Sequence, residues 1–173
     1  MGFQIGQATE VLSQTPAVMD ALLRGKSAQW LHCRKTPEAF SPLDVLGHLI
    51  HAERTDWIPR ARIVLESGSR RAFEPFDRFG FAPLIAGQPP EKLLDEFAQL
   101  RRASLQALRD LGIEEQHLGL AGLHPEFGAV TLGNLLATWA VHDLAHIAQV
   151  AKTMASEFRD AVGPWRAYTS ILD

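Results

Sequence analysis

Hydrophobic positions along this chain recur at three- and four-residue steps, and strict alternation is almost absent, so the pattern predicts helices. The clearest stripe is Leu93, Phe97, Leu100, Ser104, Leu108 and Leu111, opened by Pro90-Glu91 and closed by Gly112. A second helix is predicted over 41–66. It opens at Ser41-Pro42-Leu43-Asp44, where serine caps, proline takes the first helical position and Asp44 reaches back to complete a capping box. Pro59 predicts a kink or an early end within it. Thr15-Pro16 reads as another cap and proline, for a first helix over 16–31 with Val18, Leu22 and Leu23 on its apolar side. Residues 5–13 then read as a separate short helical turn. Thr131 caps a fourth long helix that reaches to about residue 156.

Between these segments, residues 67–90 carry Gly68, Pro75, Gly80, Pro83, Gly87, Pro89 and Pro90 and read as a long irregular connection. Connections of that length are unusual and often functional. Residues 112–130 read as a loop, and Gly163-Pro164 breaks the chain before a short C-terminal helix containing Trp165 and Tyr168. Four long amphipathic helices predict an all-α four-helix bundle, with residues 1–173 as one domain. Up-down-up-down is the simplest order, and the 67–90 connection is long enough for one crossover instead.

Composition narrows the classes of function. At 46% hydrophobic and 21% charged residues the chain is neither disordered, collagen-like nor a disulfide scaffold. Lys+Arg 17 against Asp+Glu 20 gives a net charge of −3, so no basic field points to nucleic acid. The single cysteine, Cys33, forms no internal disulfide and suits a reducing compartment. No apolar run approaches the ~18 residues needed to span a bilayer, and no basic n-region opens the chain. A cytoplasmic protein without a membrane or nucleic-acid partner is expected.

The candidate chemistry lies in the histidines. On a wheel of 100° per residue with His142 at zero, Leu132, Leu135, Trp139, His146, Val150 and Thr153 fall within about 80° on one side. His142 and His146 therefore replace apolar residues in the middle of a core-facing stripe. Two imidazoles one turn apart there both need desolvating and satisfying, and a metal ion is one partner that serves both. A third ligand is still required. His48 and His51 on the second helix are the alternatives, and spacing favours His48, which groups with Val45 and Ala52. His32 sits by Arg34 and Lys35 and reads as solvated; His117 and His124 belong to the loop before the fourth helix. Asp143 points about 100° from His142, toward a helix cap or a basic partner. Gln149 lies one turn beyond His146, placed to orient a ligand. A face of Ala137, Ala140, Leu144, Ala148 and Ala151 suggests a homodimer contact. Trp57, Trp139 and Trp165 read as core or interface aromatics.

His142-Asp143-Leu144-Ala145-His146 has the spacing of the zinc-protease HExxH with the shorter Asp in place of Glu, and no further ligand signature follows it. Glu114-Glu115-Gln116-His117 supplies a single ExxH where a di-iron bundle needs two. A different resemblance is broader. Ser41-Pro42-Leu43-Asp44-Val45-Leu46-Gly47-His48-Leu49-Ile50-His51-Ala52-Glu53 resembles the second helix of the DinB-like superfamily. Thr131-Leu132-Gly133-Asn134-Leu135-Leu136 with His142-Asp143-Leu144-Ala145-His146-Ile147-Ala148-Gln149 resembles its fourth. His124-Pro125-Glu126-Phe127-Gly128 and Val162-Gly163-Pro164-Trp165 are similar as well, whereas the 67–90 connection matches nothing.

The resemblance implies a four-helix bundle holding one divalent metal by His48, His142 and His146, and so selects His48 over His51. The superfamily includes metal-dependent thiol transferases, a thiol-dependent isomerase and hydrolase-like members. Three neutral imidazoles leave the ion's charge uncompensated, so it activates either water or a thiol. Imidazole ligands favour zinc or nickel over calcium. The function expected is attack by a small thiol or water on a small electrophilic substrate, as a thiol transferase or a hydrolase, with a low-molecular-weight thiol as the first choice of cosubstrate. The alternative is a catalytically silent metal-binding bundle with a structural or interaction role.

Overall fold

The computed structural model describes residues 2–173. Its long helices are α1 (Ile5–Leu23), the consecutive α3 (Pro42–Thr55) and α4 (Trp57–Ser67), α6 (Pro90–Asp110) and α7 (Leu132–Ser156). Short helices α2 (Ala28–His32) and α5 (Ala82–Ile85) lie in the connections. The Ser41 capping box forms as expected: Ser41 Oγ accepts from Asp44 N–H at 3.2 Å, and Asp44 Oδ2 accepts from Ser41 N–H at 2.8 Å. Thr131 and Asn134 make the same reciprocal pair at the head of α7, at 3.1 and 3.0 Å. The chain breaks between α3 and α4 at Asp56, because Pro59 has no N–H to offer the Thr55 carbonyl.

The first helix corrects the sequence reading. It begins at Ile5, runs through Pro16 and stops at Leu23, and residues 28–32 form a separate turn. Pro16 cannot donate to the Leu12 carbonyl, but that carbonyl accepts from the Arg101 guanidinium of α6 at 2.8 Å. The acceptor freed by the proline is thus satisfied from another helix. The buried face Ala8, Leu12, Thr15, Met19 and Leu23 continues across the proline uninterrupted.

Residues 112–130 also differ from the loop expected. They hold a 3-10 turn at Glu115–His117 and most of a hairpin, β1 (Ala121–His124) paired antiparallel with β2 (Gly128–Thr131). Four-residue strands are too short for alternation to stand out in the sequence. The tail forms 3-10 turns at Gly163–Tyr168 and Ser170–Leu172.

In the bundle α1 and α3 stand at opposite corners, each packed on α6 and α7. Two core clusters mark the ends. One joins Leu12 with Trp57, Leu108 and Leu135; the other joins Leu23 with Leu46, Leu93 and Val150. Helices α1 and α7 therefore run one way and α3–α4 and α6 the other, in the order up, down, down, up. Of the two orders the sequence allows, the one with a crossover is adopted. Residues 68–89 travel back along the bundle, a distance of about 30 Å for a helix the length of α6. Phe73 packs into the first cluster and Phe81 into the second. The crossover is pinned at both ends. Phe73 N–H donates to the Leu123 carbonyl at 2.9 Å. At Gly47 of α3, an added Cβ would lie 2.5 Å from Ile85 Cγ2, so only glycine lets the crossover sit this close. On α7, Ala140 is buried, Ala137 and Ala151 are half-buried, and Leu144 and Ala148 are exposed. Among the described residues no helix is long and apolar enough to cross a membrane.

Candidate metal centre

Helix α3 presents His48 to the middle of α7, where His142 and His146 stand one turn apart. His48 Nε2 lies 3.0 Å from His142 Nε2, and His146 Nε2 lies 3.1 Å from the same atom. One nitrogen of each ring lies within 4.8 Å of the other two. His48 is buried, and His142 and His146 are half-buried. The other histidines are elsewhere. His51 faces the Phe76 ring and packs against Gly80. His117 Nδ1 accepts from Glu114 N–H at 3.0 Å, and His124 Nδ1 accepts from Glu126 and Phe127 N–H at 3.2 Å each, so both organise turns. His32 is exposed.

The chemistry of this donor set fits a cation. An imidazole nitrogen carries either one proton or one lone pair. With two partners facing His142 Nε2, that atom either shares one proton between two acceptors or one lone pair between two donors. A divalent ion accepts three lone pairs at once. The outer nitrogen of His146 agrees with that assignment. His146 Nδ1 lies 2.8 Å from Gln149 Oε1, an acceptor, which puts the proton on Nδ1 and the lone pair on Nε2. Gln149 thus holds the ring from behind. Burial, then the proximity of His146 and His142, push His48 down to about 3. Burial, then His142, push His146 down to about 4, against the opposing bond to Gln149. Both rings are therefore neutral at pH 7, the form a metal requires.

Behind the histidines lies a buried ionic network that sequence reading missed. Arg101, 1% exposed, donates to both oxygens of Asp143 at 2.5 and 3.1 Å, to Glu53 Oε1 at 2.8 Å and to the Leu12 carbonyl. Trp139 Nε1–H also donates to Glu53 Oε1, at 3.0 Å. Asp143 therefore takes a basic partner, one of the two roles its angle on α7 allowed. Burial alone would raise its carboxyl; His142, the Arg101 charge and hydrogen bonds, and Thr15 outweigh burial and hold it below the ordinary carboxylate value. Asp143 Oδ1 lies 4.0 Å from His142 Nδ1, so a carboxylate held below its ordinary value sits directly behind a ring of the cluster. A buried carboxylate there favours a cation among neutral imidazoles. The one signal for Arg101 in the sequence was its place four residues from both Phe97 and Leu105, inside the apolar stripe.

Aromatic rings enclose the cluster. Phe40 and Phe76 lie 5.8 and 5.4 Å from the His48 ring, and Trp57 lies 5.1 Å from His142 while stacking on Trp139. Phe76 comes from the crossover, so the connection that closes the topology also roofs the histidines. Trp165, by contrast, is 73% exposed. Cys33 follows α2, where burial pushes its thiol up; it takes no part in the cluster.

Among curated proteins no sequence match is found. Among solved structures the chain is similar to YfiT from Bacillus subtilis, described as a probable metal-dependent hydrolase with an unusual four-helix bundle topology. The two share 20% identity at a TM-score of 0.76, covering 89% of this chain and 87% of that one. At that identity the likeness establishes the fold, including a departure from the ordinary bundle order. The sequence model of the DinB superfamily matches residues 12–150, and the chain belongs to that superfamily.

Proposed function

We propose that this protein is a metal-dependent enzyme in which His48, His142 and His146 hold one divalent ion, zinc or nickel, that activates a small nucleophile for attack on a small electrophilic substrate. The observation that carries the reading is the convergence of three ring nitrogens that hydrogen bonding among themselves cannot satisfy. A divalent ion there supplies Lewis acidity, enough to draw a proton from water or a thiol near neutral pH. The chain's own residues do the rest. Gln149 fixes the tautomer and orientation of His146, and Asp143 sets its charge behind His142. Phe40 and Phe76 keep bulk water from the buried His48 ring, which strengthens electrostatic effects there.

Water makes the protein a hydrolase and a low-molecular-weight thiol makes it a transferase. The description of YfiT favours the first; the thiol transferases in the superfamily favour the second. Purified protein is expected to carry close to one divalent ion per chain and to lose it on His48→Ala, His142→Ala or His146→Ala. Metal-loaded protein is then tested on a panel of esters, amides and halogenated electrophiles, with and without small thiols. Turnover abolished by chelation, and restored by metal in the wild type but not in His48→Ala, supports the reading. Protein that binds its ion tightly and turns over no member of the panel is the catalytically silent bundle instead.

A further inference from the structure

A cavity of about 220 Å³ lies between α4, the β1–β2 hairpin and the first half of α7, with His142 in its wall. Its apolar lining comes from Trp57, Phe73, Val130 and Leu135. Its charged residues, Asp56 and Arg60, are buried and closed on each other. The Arg60 guanidinium also donates to the Glu74 carbonyl at 3.2 Å and lies 5.1 Å over the Phe73 ring. It therefore offers no unspent charge to an anion. At the rim, the His124 ring stacks on Phe127 at 4.4 Å and 12°, although Phe127 is 75% exposed. An aromatic held in water beside an open apolar space is placed to meet a ligand. A second space, lined by Pro75, Phe76, His124 and Phe127, continues from that rim toward the Phe76 ring that packs on His48.

From this geometry we infer that the substrate carries a non-anionic aromatic ring that occupies this cavity beside His142 while its reactive end meets the metal. The inference rests on the metal-centred reading above. Size sets the scale: a dry apolar cavity of about 150 Å³ takes benzene, so the space here, about 220 Å³ and open at its rim, takes an aromatic ring. Charge balance in the wall sets the polarity, since a carboxylate placed there would find its only guanidinium already engaged.

The test uses cobalt(II)-loaded full-length protein and hydroxamates, whose common head binds the metal while the tail varies. Benzohydroxamate, phenylacetohydroxamate and 3-phenylpropanohydroxamate are titrated against acetohydroxamate by their effect on the cobalt absorption bands. The tightest aryl compound is expected to bind about tenfold better than acetohydroxamate, with roughly threefold as the least that ring burial predicts. Thr138→Trp, at an exposed position on the cavity wall, should erase that advantage and leave acetohydroxamate unchanged. Phe127→Ala, at the exposed rim, should reduce it. An advantage below threefold, or one that survives Thr138→Trp, overturns the cavity assignment while leaving the metal centre standing. If neither class of hydroxamate perturbs the bands of bound cobalt, the metal-activation reading fails, and this inference with it.

Discussion

Replacing Arg101 by Met removes the cation that pairs with two buried carboxylates, Glu53 and Asp143. In the native protein Arg101 makes four hydrogen bonds, two to Asp143 and one each to Glu53 and the Leu12 carbonyl. The Glu53 and Asp143 side chains are 0% exposed, so water cannot replace the lost partner. Removing one member of a buried pair costs roughly 3–5 kcal/mol, and a freed buried carbonyl about 1–3 more, so the expected loss is about 4–8 kcal/mol. Domains of this kind have about 5–15 kcal/mol in total, so the variant should be near its unfolding midpoint in mild denaturant. Urea unfolding of the metal-free protein at pH 7.5 measures the loss. Asp143→Asn is expected to destabilise the native background but to restore about 2 kcal/mol in the Met background, a coupling that marks groups in one network. A loss below about 1 kcal/mol for Arg101→Met, or strictly additive effects of the two changes, refutes the network as the organiser of this core.

Gln149→Leu should lower metal affinity roughly 10–100-fold without unfolding the bundle, read by competition with a chromophoric chelator. His51→Ala should leave metal stoichiometry at one, because its ring faces Phe76 and not the cluster. Metal-free protein should lose stability on acidification. His48 at about 3 and His146 at about 4 lie below their unfolded value of 6.5, so the unfolded chain binds more protons and stability falls as pH drops from 6.5 through 4 toward 3. Urea midpoints that stay level between pH 7 and pH 5 would contradict this. Gly47→Ala should cost about 1–3 kcal/mol by pushing Ile85 and Phe81 of the crossover away from α3, seen as a lowered thermal midpoint.

What sequence reading recovered were features whose causes are local. The Ser41 and Thr131 capping boxes involve residues three apart, and the chain break before Pro59 follows from a single missing N–H. The central place of His142 and His146 on α7 was legible from angle alone. What escaped depended on distant residues. Pro16 is tolerated inside α1 because Arg101, far along the chain, satisfies the carbonyl that proline leaves free, and nothing near Pro16 announces this. Spacing favoured His48 over His51 without settling the choice, since the clearest stripe of that helix, Leu46, Ile50 and Trp57, is flanked by His48 and does not centre on it. Glu53 reads as an ordinary polar residue until the fold brings Arg101 and Trp139 to it.

The parallel course of α3–α4 and α6 has a consequence for how such a bundle acquires new chemistry. Hairpin-connected bundles can shed a loop without touching their interior. Here the chain has no short way from Ser67 to Pro90, so every version of this fold must carry a strap across the flank that holds the histidines. Phe76, which packs on the His48 ring, lies on a segment of that strap fixed at Phe73 and Phe81 and belonging to no helix of its own. Substitution between residues 74 and 80 therefore alters the roof of the candidate centre without altering the helices that carry the three histidines. The candidate site and its roof are separable by inheritance, one written in the helices and the other in the thread that joins them.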